Sequence, residues 1–587
     1  MTVIATAGHV DHGKSTLVLR LTGTDPDRWV EEKSRGLTID LGFATTTLPS
    51  GRELSFIDVP GHIRFLRNML SGVGAVDGCV FVVAGTEGWK PQSEEHLRIL
   101  SLLGLRHGVI ALTKVDQIDE ELAELARMEI EEHVAGTFLE GAEVVGVSAT
   151  ENIGMDELRG ALDQIVDRVD RSGDRGVARL WVDRSFAPAG AGTVITGTLT
   201  GGGLAVGDQL ELVPGPRSVR VRGLQSHHHD LQRVEPGNRV AVNLTGVGHA
   251  EVARGDVLVT SDAWHDTAMI DAELEVLGDL GHPVSRRGAY LAYIGSGEFP
   301  ARVRVLQGSE ITPGERGLIR LYLDRAAPLL PGDRFILRES GRDETVGGGE
   351  ILDVDPVLPA SRANPDRSIE RLVAERGWVT RERLTRLTGV ELAPTADDGG
   401  PGEEHPAVTA VGDWVVDPAI LERVQTEVRE QVERAGALGL DVAALDDRQR
   451  AVLDLLDDVQ VAAGRATIGE GEDPLADHPW VAELAASPFN PPGPDGVDRS
   501  EVRELVRRGT VVEEDGVHFA RSSIDEAIGL LRSAFEATPD GLTVAEIRDL
   551  LGTTRKFALP LLAHLDGTGV TRRRGDVRIA GPRMPAG

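Results

Sequence analysis

Short apolar runs that stop at glycine, aspartate or lysine organise the first third of the chain. Thr2-Val3-Ile4-Ala5-Thr6-Ala7, Leu54-Ser55-Phe56-Ile57, Cys79-Val80-Phe81-Val82-Val83, Val109-Ile110-Ala111-Leu112 and Val144-Val145-Gly146-Val147 have the pattern of strands buried on both faces. Lys14 to Leu21 carries apolar residues at helical spacing. Together they predict a doubly wound α/β domain over residues 1–172. From about Val177 the pattern changes to short β-rich runs separated by glycine turns, which predicts small β-barrels over 176–263 and 266–355.

Beyond a Pro-containing linker at Asp355-Pro356-Val357-Leu358-Pro359, amphipathic helical stretches precede strand–turn–strand segments. Arg508 to Phe519 and Gly567 to Ile579 share one plan, an apolar strand, a charged turn with glycine and a second apolar strand. Tandem winged helices are expected over 366–587, up to four of them, the last at about 525–587. Gly412-Asp413-Trp414-Val415-Val416, after Thr380 to Leu387, reads as part of an earlier copy, and a second copy is poorly defined. The stretches Thr395 to Pro406 and Ile468 to Pro474 read as mobile loops.

The ends of the first strands carry the chemistry. Gly8-His9-Val10-Asp11-His12-Gly13-Lys14-Ser15, followed by Thr16, sits between a strand and a helix, the context that a phosphate-binding loop requires. Its glycines let backbone N–H groups close around phosphates, Lys14 is placed to neutralise the β- and γ-oxygens, and the Ser15 hydroxyl can ligate Mg²⁺. Asp58 ends a strand where a carboxylate reaching Mg²⁺ through water belongs, and Gly61 offers its amide to the γ-phosphate. Thr113-Lys114-Val115-Asp116 and Ser148-Ala149 also close strands. A carboxylate at Asp116 can accept from N1–H and the 2-amino group of guanine, so GTP is the expected nucleotide. Lys114 would lie along the base and the Ala149 amide would reach O6.

Composition narrows the setting. The 587 residues allow roughly four domains or more. The single cysteine, Cys79, excludes an internal disulfide and reads as a buried strand residue. No apolar run approaches the length of a membrane span, and a cytoplasmic, monomeric protein without membrane contact is expected. A net charge of −32 excludes a uniformly basic surface but leaves room for local arginine clusters that dock RNA. The wing at Glu513-Glu514-Asp515 is unsuited to phosphate, whereas the last wing carries Arg572, Arg573 and Arg574, with Arg555 and Lys556 at the start of its preceding helix. Helix start and wing together suit an RNA loop. The triplet His227-His228-His229 alternates faces on a strand and lacks closing ligands, so it reads as a surface feature.

Several segments resemble the translational GTPases. Glu31-Glu32-Lys33-Ser34-Arg35-Gly36-Leu37-Thr38-Ile39-Asp40 is similar to their first switch, in which the threonine, here Thr38, closes on Mg²⁺ and the γ-phosphate. His62, after Gly61, resembles their water-positioning histidine; Val10 and Leu37 resemble the apolar pair that gates it, and Asp11 the carboxylate beside the phosphates. Catalysis would thus fall to His62, Thr38, Asp11 and Lys14. With the β-rich segments from Arg179 and Gly190, and the terminal Arg555-Lys556 and Thr571-Arg572-Arg573-Arg574-Gly575, nearly the whole chain resembles the bacterial selenocysteine-specific elongation factors, the SelB family.

That resemblance implies GTP-dependent delivery of selenocysteyl-tRNA to a ribosome paused at UGA, anchored to an mRNA hairpin (SECIS) by the terminal winged helix. It also implies an aminoacyl pocket of Phe43, Arg184 and Arg239, whose positive charge would favour a selenolate over a neutral serine. Two alternatives stay open, a general tRNA-binding elongation- or initiation-type GTPase with an RNA-binding tail, and a nucleotide-switched winged-helix regulator that binds DNA. Thr113 and Ile63 depart from the common patterns, which have asparagine and an acidic residue at those places.

Overall fold

The computed structural model describes residues 2–26, 38, 40–60, 68–69, 76–169, 174–190, 192–215, 217–226, 229–390, 408–462, 464–468 and 475–585. Two compact units divide the chain, Met1–Asp417 and Pro418–Gly587.

The first unit opens with a six-stranded sheet: β1 (Thr2–Gly8), β2 (Gly42–Thr47), β3 (Glu53–Asp58), β4 (Gly78–Ala84), β5 (Gly108–Thr113) and β6 (Val144–Gly146), in the order β2-β3-β1-β4-β5-β6. All pairings are parallel except β2 with β3. Every residue of β1 and β4 is buried, as their predominantly apolar composition requires when both sheet faces are covered. Helices with both ends among the described residues are α1 (Lys14–Thr22), α2 (Pro91–Leu102), α3 (Glu120–Val134) and α4 (Met155–Arg168). Burial pushes the Cys79 thiol up, and the residue acts as a packed apolar side chain.

Two closed barrels follow. In the first, strands 179–181, 193–200, 239–245, 217–226, 209–213 and 257–260 pair in turn, and Gln209 opposite Arg220 marks the seam between 209–213 and 217–226. Thr193–Thr200 alternates buried and half-buried positions, the period-two pattern of a barrel wall. The second barrel is built from strands 266–276, 316–328, 297–305, 290–294, 334–339 and 344–353. Its closure depends on Gly347 and Gly349. A Cβ at Gly349 would stand 1.8 Å from the Glu273 carbonyl oxygen, and one at Gly347 would stand 2.2 Å from that of Glu275.

The linker after Asp353 is fastened rather than loose. Arg320 holds the Leu358 carbonyl at 2.9 Å, and Arg371 reaches the buried Asp353 at 3.0 Å. Ile369, Leu372, Val373, Leu384, Leu387 and Val415 share one apolar core with the second barrel. Their helices, Ile369–Arg376 and Arg381–Thr388, with the small sheet of strands 378–380, 414–416 and 409–411, form the first winged-helix motif.

Among its described residues, the second unit contains three further small sheets with helices. They comprise strands 440–441, 465–468 and 459–462, strands 511–514 and 517–520, and strands 542–543, 577–580 and 571–574. Ile468 ends a strand, contrary to its expected place in a mobile loop, because it pairs with Val459; the rest of that stretch, and Thr395 to Pro406, lie outside the described residues. Glu504 joins two of these modules. It accepts hydrogen bonds from Arg465 (2.6 Å), Arg507 (2.8 and 2.7 Å) and Arg508 (3.0 Å). The acidic wing also has a structural role, with Glu514 3.7 Å from His564 on the helix Arg555–Gly567.

Candidate functional site

The nucleotide site is assembled where β1, β3 and β5 end. Gly8 adopts φ 128°, and a Cβ there would lie 2.1 Å from the Val82 carbonyl oxygen, so the sharp turn into the loop requires glycine. Asp11 is exposed in the left-handed region at φ 62°, and Gly13, at φ 89°, starts α1. Lys14 is buried, with its ammonium donating to the carbonyls of Gly8 (3.1 Å) and His9 (2.7 Å). The loop thus fixes a cation at the helix start, where the backbone dipoles already favour an anion.

Ser15 Oγ lies 2.8 Å from Thr38 Oγ1 and donates to Asp58 Oδ2 at 2.7 Å, while Thr6 donates to Asp58 Oδ1 at 2.6 Å. Thr38 is therefore seated over the first turn of α1. Full burial raises the Asp58 pKa; hydrogen bonds from Thr6, Ser15 and Thr38 and the charge of Lys14 oppose that rise. Two hydroxyls and a carboxylate within hydrogen-bond range form the oxygen donor set that a hard divalent cation prefers.

Three histidines around the loop are held neutral. Burial takes His12 down to about 4 and His96 to about 3, and also lowers His9. His96 Nδ1 accepts the Gly8 amide at 3.1 Å, and Gln92 accepts that of Val10 at 3.3 Å, so α2 braces the loop from behind. Neither residue has a sequence signal, since a lone histidine on a helix reads as ordinary packing.

The residues expected at the base come from the ends of β5 and β6. Thr113 donates to the His12 carbonyl at 2.7 Å and so ties the strand to the phosphate loop with one hydroxyl. Lys114, at φ 59°, donates to Glu87 at 3.0 Å, and Asp116 is exposed in the turn Val115–Gln117. Ser148 is buried, accepts the Glu151 amide at 3.1 Å, and leads into Ala149. Gly61, His62, Ile63, Leu37 and the other first-switch residues before Thr38 lie outside the described residues, as do His227 and His228; His229 begins an exposed strand.

A second cluster lies between the sheet and the first barrel. Phe43 on β2 meets two guanidinium groups, with Arg184 4.5 Å and Arg239 3.5 Å from its ring centre. Around them stand residues that sequence reasoning missed. Asp183, 8 % exposed, holds Arg239 through both carboxylate oxygens, one at 3.0 Å. Asp40 lies 3.6 Å from Arg184 and accepts from Arg254 at 2.9 Å, and Arg184 also donates to the Leu41 carbonyl. Burial opposes ionisation of Asp40, but Arg254 first and then the Leu41 amide and Arg184 hold its pKa below the usual carboxylate value. Among the described residues, Arg184, Arg239 and Arg254 thus face Asp40 and Asp183, three positive charges against two negative ones.

In the second unit, Arg555, Lys556, Arg572, Arg573 and Arg574 are all exposed. The strand register divides the wing: Arg573 stands opposite Arg578, while Arg572 and Arg574 stand opposite Ile579 and Val577 on the other face. Arg578 is tied to Asp566 at 2.9 Å. No described helix is long and apolar enough to cross a membrane, and among the described residues no cluster could hold a metal through His, Cys, Asp and Glu alone.

Comparison with known proteins assigns the parts. Residues 1–168 match the elongation factor Tu GTP-binding domain and 192–259 match elongation factor Tu domain 2. Residues 275–357 match the β-barrel domain of the selenocysteine-specific elongation factor, and 533–580 match the winged helix of elongation factor SelB. The chain is 33 % identical to a selenocysteine-specific elongation factor of Desulfomicrobium baculatum, over 98 % of this chain and 99 % of that one. It is 30 % identical to that of Escherichia coli K12, over 98 % of each. A crystal structure of a bacterial selenocysteine-specific elongation factor, EF-Sec, superposes with a TM-score of 0.71 at 27 % identity, covering 99 % of this chain and 100 % of the other.

Proposed function

The chain belongs to the selenocysteine-specific elongation factor family, a GTPase of translation elongation, and from that premise we propose that it carries selenocysteyl-tRNA to the ribosome at UGA codons while its last winged module grips a hairpin of the message. It works in the cytoplasm, as a monomer and away from membranes.

For the nucleotide half of the cycle, the loop geometry supports the roles of residues 8–15, and the resemblance of the segment around Gly61 and His62 supports theirs. Backbone amides of residues 8–15, with Thr16 behind them, cradle the phosphates, and Lys14 moves from its loop carbonyls toward the β- and γ-oxygens. Ser15 and Thr38 would hold Mg²⁺ directly and Asp58 through water, and the ion would supply neutralising charge to the phosphates. Asp116, Lys114, Ser148 and Ala149 take the guanine, with Thr113 as the brace. Asp11 lies beside the phosphates and Gly61 offers its amide to the γ-phosphate. His62 orients the attacking water, and loss of the γ-phosphate removes what Thr38 closes upon.

The observation that carries the selenocysteine reading is the pair of guanidinium groups, Arg184 and Arg239, gathered on the Phe43 ring. A selenol is ionised at neutral pH where a serine hydroxyl is not, so a pocket with net positive charge gains from selenolate and offers little to serine. This supports the selenocysteine reading over a general carrier. At the far end of the chain, exposed Arg572, Arg573, Arg574, Arg555 and Lys556 supply the phosphate contacts for the hairpin. Replacing Arg184 with alanine tests the pocket. Protection of selenocysteyl-tRNA from deacylation should weaken at least tenfold relative to seryl-tRNA, and an unchanged preference would place the discriminating contact elsewhere.

A further inference from the structure

Arg254 of the first barrel touches three separate parts of the first unit with one guanidinium group. Nε donates to the Asp183 carbonyl, Nη1 to Asn68 Oδ1 and Nη2 to Asp40 Oδ1, each at 2.9 Å. Asp40 follows Thr38 by two residues, and Thr38 is seated on Ser15. Asn68 lies downstream of Asp58, on the segment that also carries His62. Asp183 holds Arg239 and precedes Arg184, the two arginines on Phe43.

We propose that Arg254 is a positioning residue that latches the aminoacyl pocket to the nucleotide state, engaging fully when Asp40 and Asn68 are both in place. The planar fork of arginine can serve three acceptors in fixed directions, which the compact ammonium of lysine cannot. Arg254 and Asp40 are partly exposed, and isolated ion pairs of that kind are weak and readily broken. Three contacts made together add up, and withdrawal of Asp40 after hydrolysis removes one partner from Arg254 and another from Arg184. The pocket then loses its frame and the charged tRNA is released. The proposal rests on the reading of Phe43, Arg184 and Arg239 as the aminoacyl site, while its nucleotide side can be read without tRNA.

The test compares the full chain with its Arg254→Ala, Arg254→Lys and Asp40→Asn variants, each with GDP and with a non-hydrolysable GTP analogue. Without tRNA, Arg254→Ala should speed dissociation of the GTP analogue about tenfold and leave GDP dissociation unchanged, because coupling between sites is reciprocal. With selenocysteyl-tRNA, its affinity in the analogue-bound form should fall at least tenfold and the contrast with the GDP form should shrink. Arg254→Lys should resemble the alanine variant, and Asp40→Asn should fall between. Equal dissociation changes for both nucleotides, unaltered rates in Arg254→Ala, or full rescue by lysine would overturn the latch. Should the parent chain ignore selenocysteyl-tRNA while the nucleotide rates respond as described, the pocket reading fails and the switch contact stands.

Discussion

Glu504 offers a quantitative test of how the second unit holds together. Its side chain is 5 % exposed and accepts four hydrogen bonds from three arginines, one of which, Arg465, belongs to the preceding module. Glu504→Gln keeps the shape, removes the charge and turns an amide donor toward arginine donors. The bonds from Arg465 and Arg508, 19 % and 22 % exposed, are worth about 1.5 kcal/mol each as charge-assisted contacts. Those from the half-exposed Arg507 add under about 1 kcal/mol after screening. Since glutamine retains one acceptor oxygen, the expected loss is about 2 kcal/mol, roughly a thirtyfold rise in local opening. Hydrogen–deuterium exchange across the helix Arg499–Arg507 and the strand Arg465–Ile468 reads that opening in the full chain.

The same residue predicts a pH dependence. Hydrogen bonds from Arg507 first, then from Arg508, with the charge of Arg465, hold the carboxyl at about 2 against an ordinary 4.5, although burial acts the other way. A depressed carboxylate stabilises the folded state fully above its unfolded value, and that contribution fades as pH falls from about 5 toward 2. Protection in these elements should drop across that window in the parent chain and change less in Glu504→Gln. Loss of under about 0.5 kcal/mol, or identical pH curves, would refute the role assigned to the cluster.

Three other outcomes follow from the geometry. Gly8→Ala would place a methyl group 2.1 Å from the Val82 carbonyl oxygen and should abolish measurable nucleotide binding; retained affinity in a nucleotide titration would contradict the strained turn. Thr113→Val removes the hydroxyl that braces the phosphate loop and should weaken GDP and GTP about fivefold, as read by nucleotide dissociation rates; no change would show the brace to be dispensable. Replacing Arg572 and Arg574 together should lower the salt slope of hairpin binding by about 1.4, with nucleotide affinity intact, and an unchanged slope would remove them from the RNA contact.

What the sequence made legible is what local order encodes. The loop from Gly8 to Ser15 and the strand ends at Asp58, Thr113 and Ser148 could be read because each motif follows directly from an apolar run whose burial fixes its direction. The two barrels and the strand–turn–strand wings were visible for the same reason. Phe43, Arg184 and Arg239 came from resemblance, since no spacing rule joins Phe43 to two arginines more than a hundred positions away. Asp183, Arg254 and His96 went unnoticed because each looks like an ordinary surface or core residue until the barrel and α2 dock on the sheet. Fusion of the first winged-helix motif with the second barrel was equally hidden, because an apolar helix face does not name the surface it covers.

The central claim joins a guanine-nucleotide engine to a pocket that recognises an ionised selenol. Deacylation protection measured side by side for selenocysteyl-, seryl- and cysteinyl-tRNA, with the protein bound to a GTP analogue and to GDP, tests it most directly. Strong protection of selenocysteyl-tRNA alone, confined to the analogue-bound form, is the predicted result. Equal protection of the three, or protection indifferent to the nucleotide, would contradict the account.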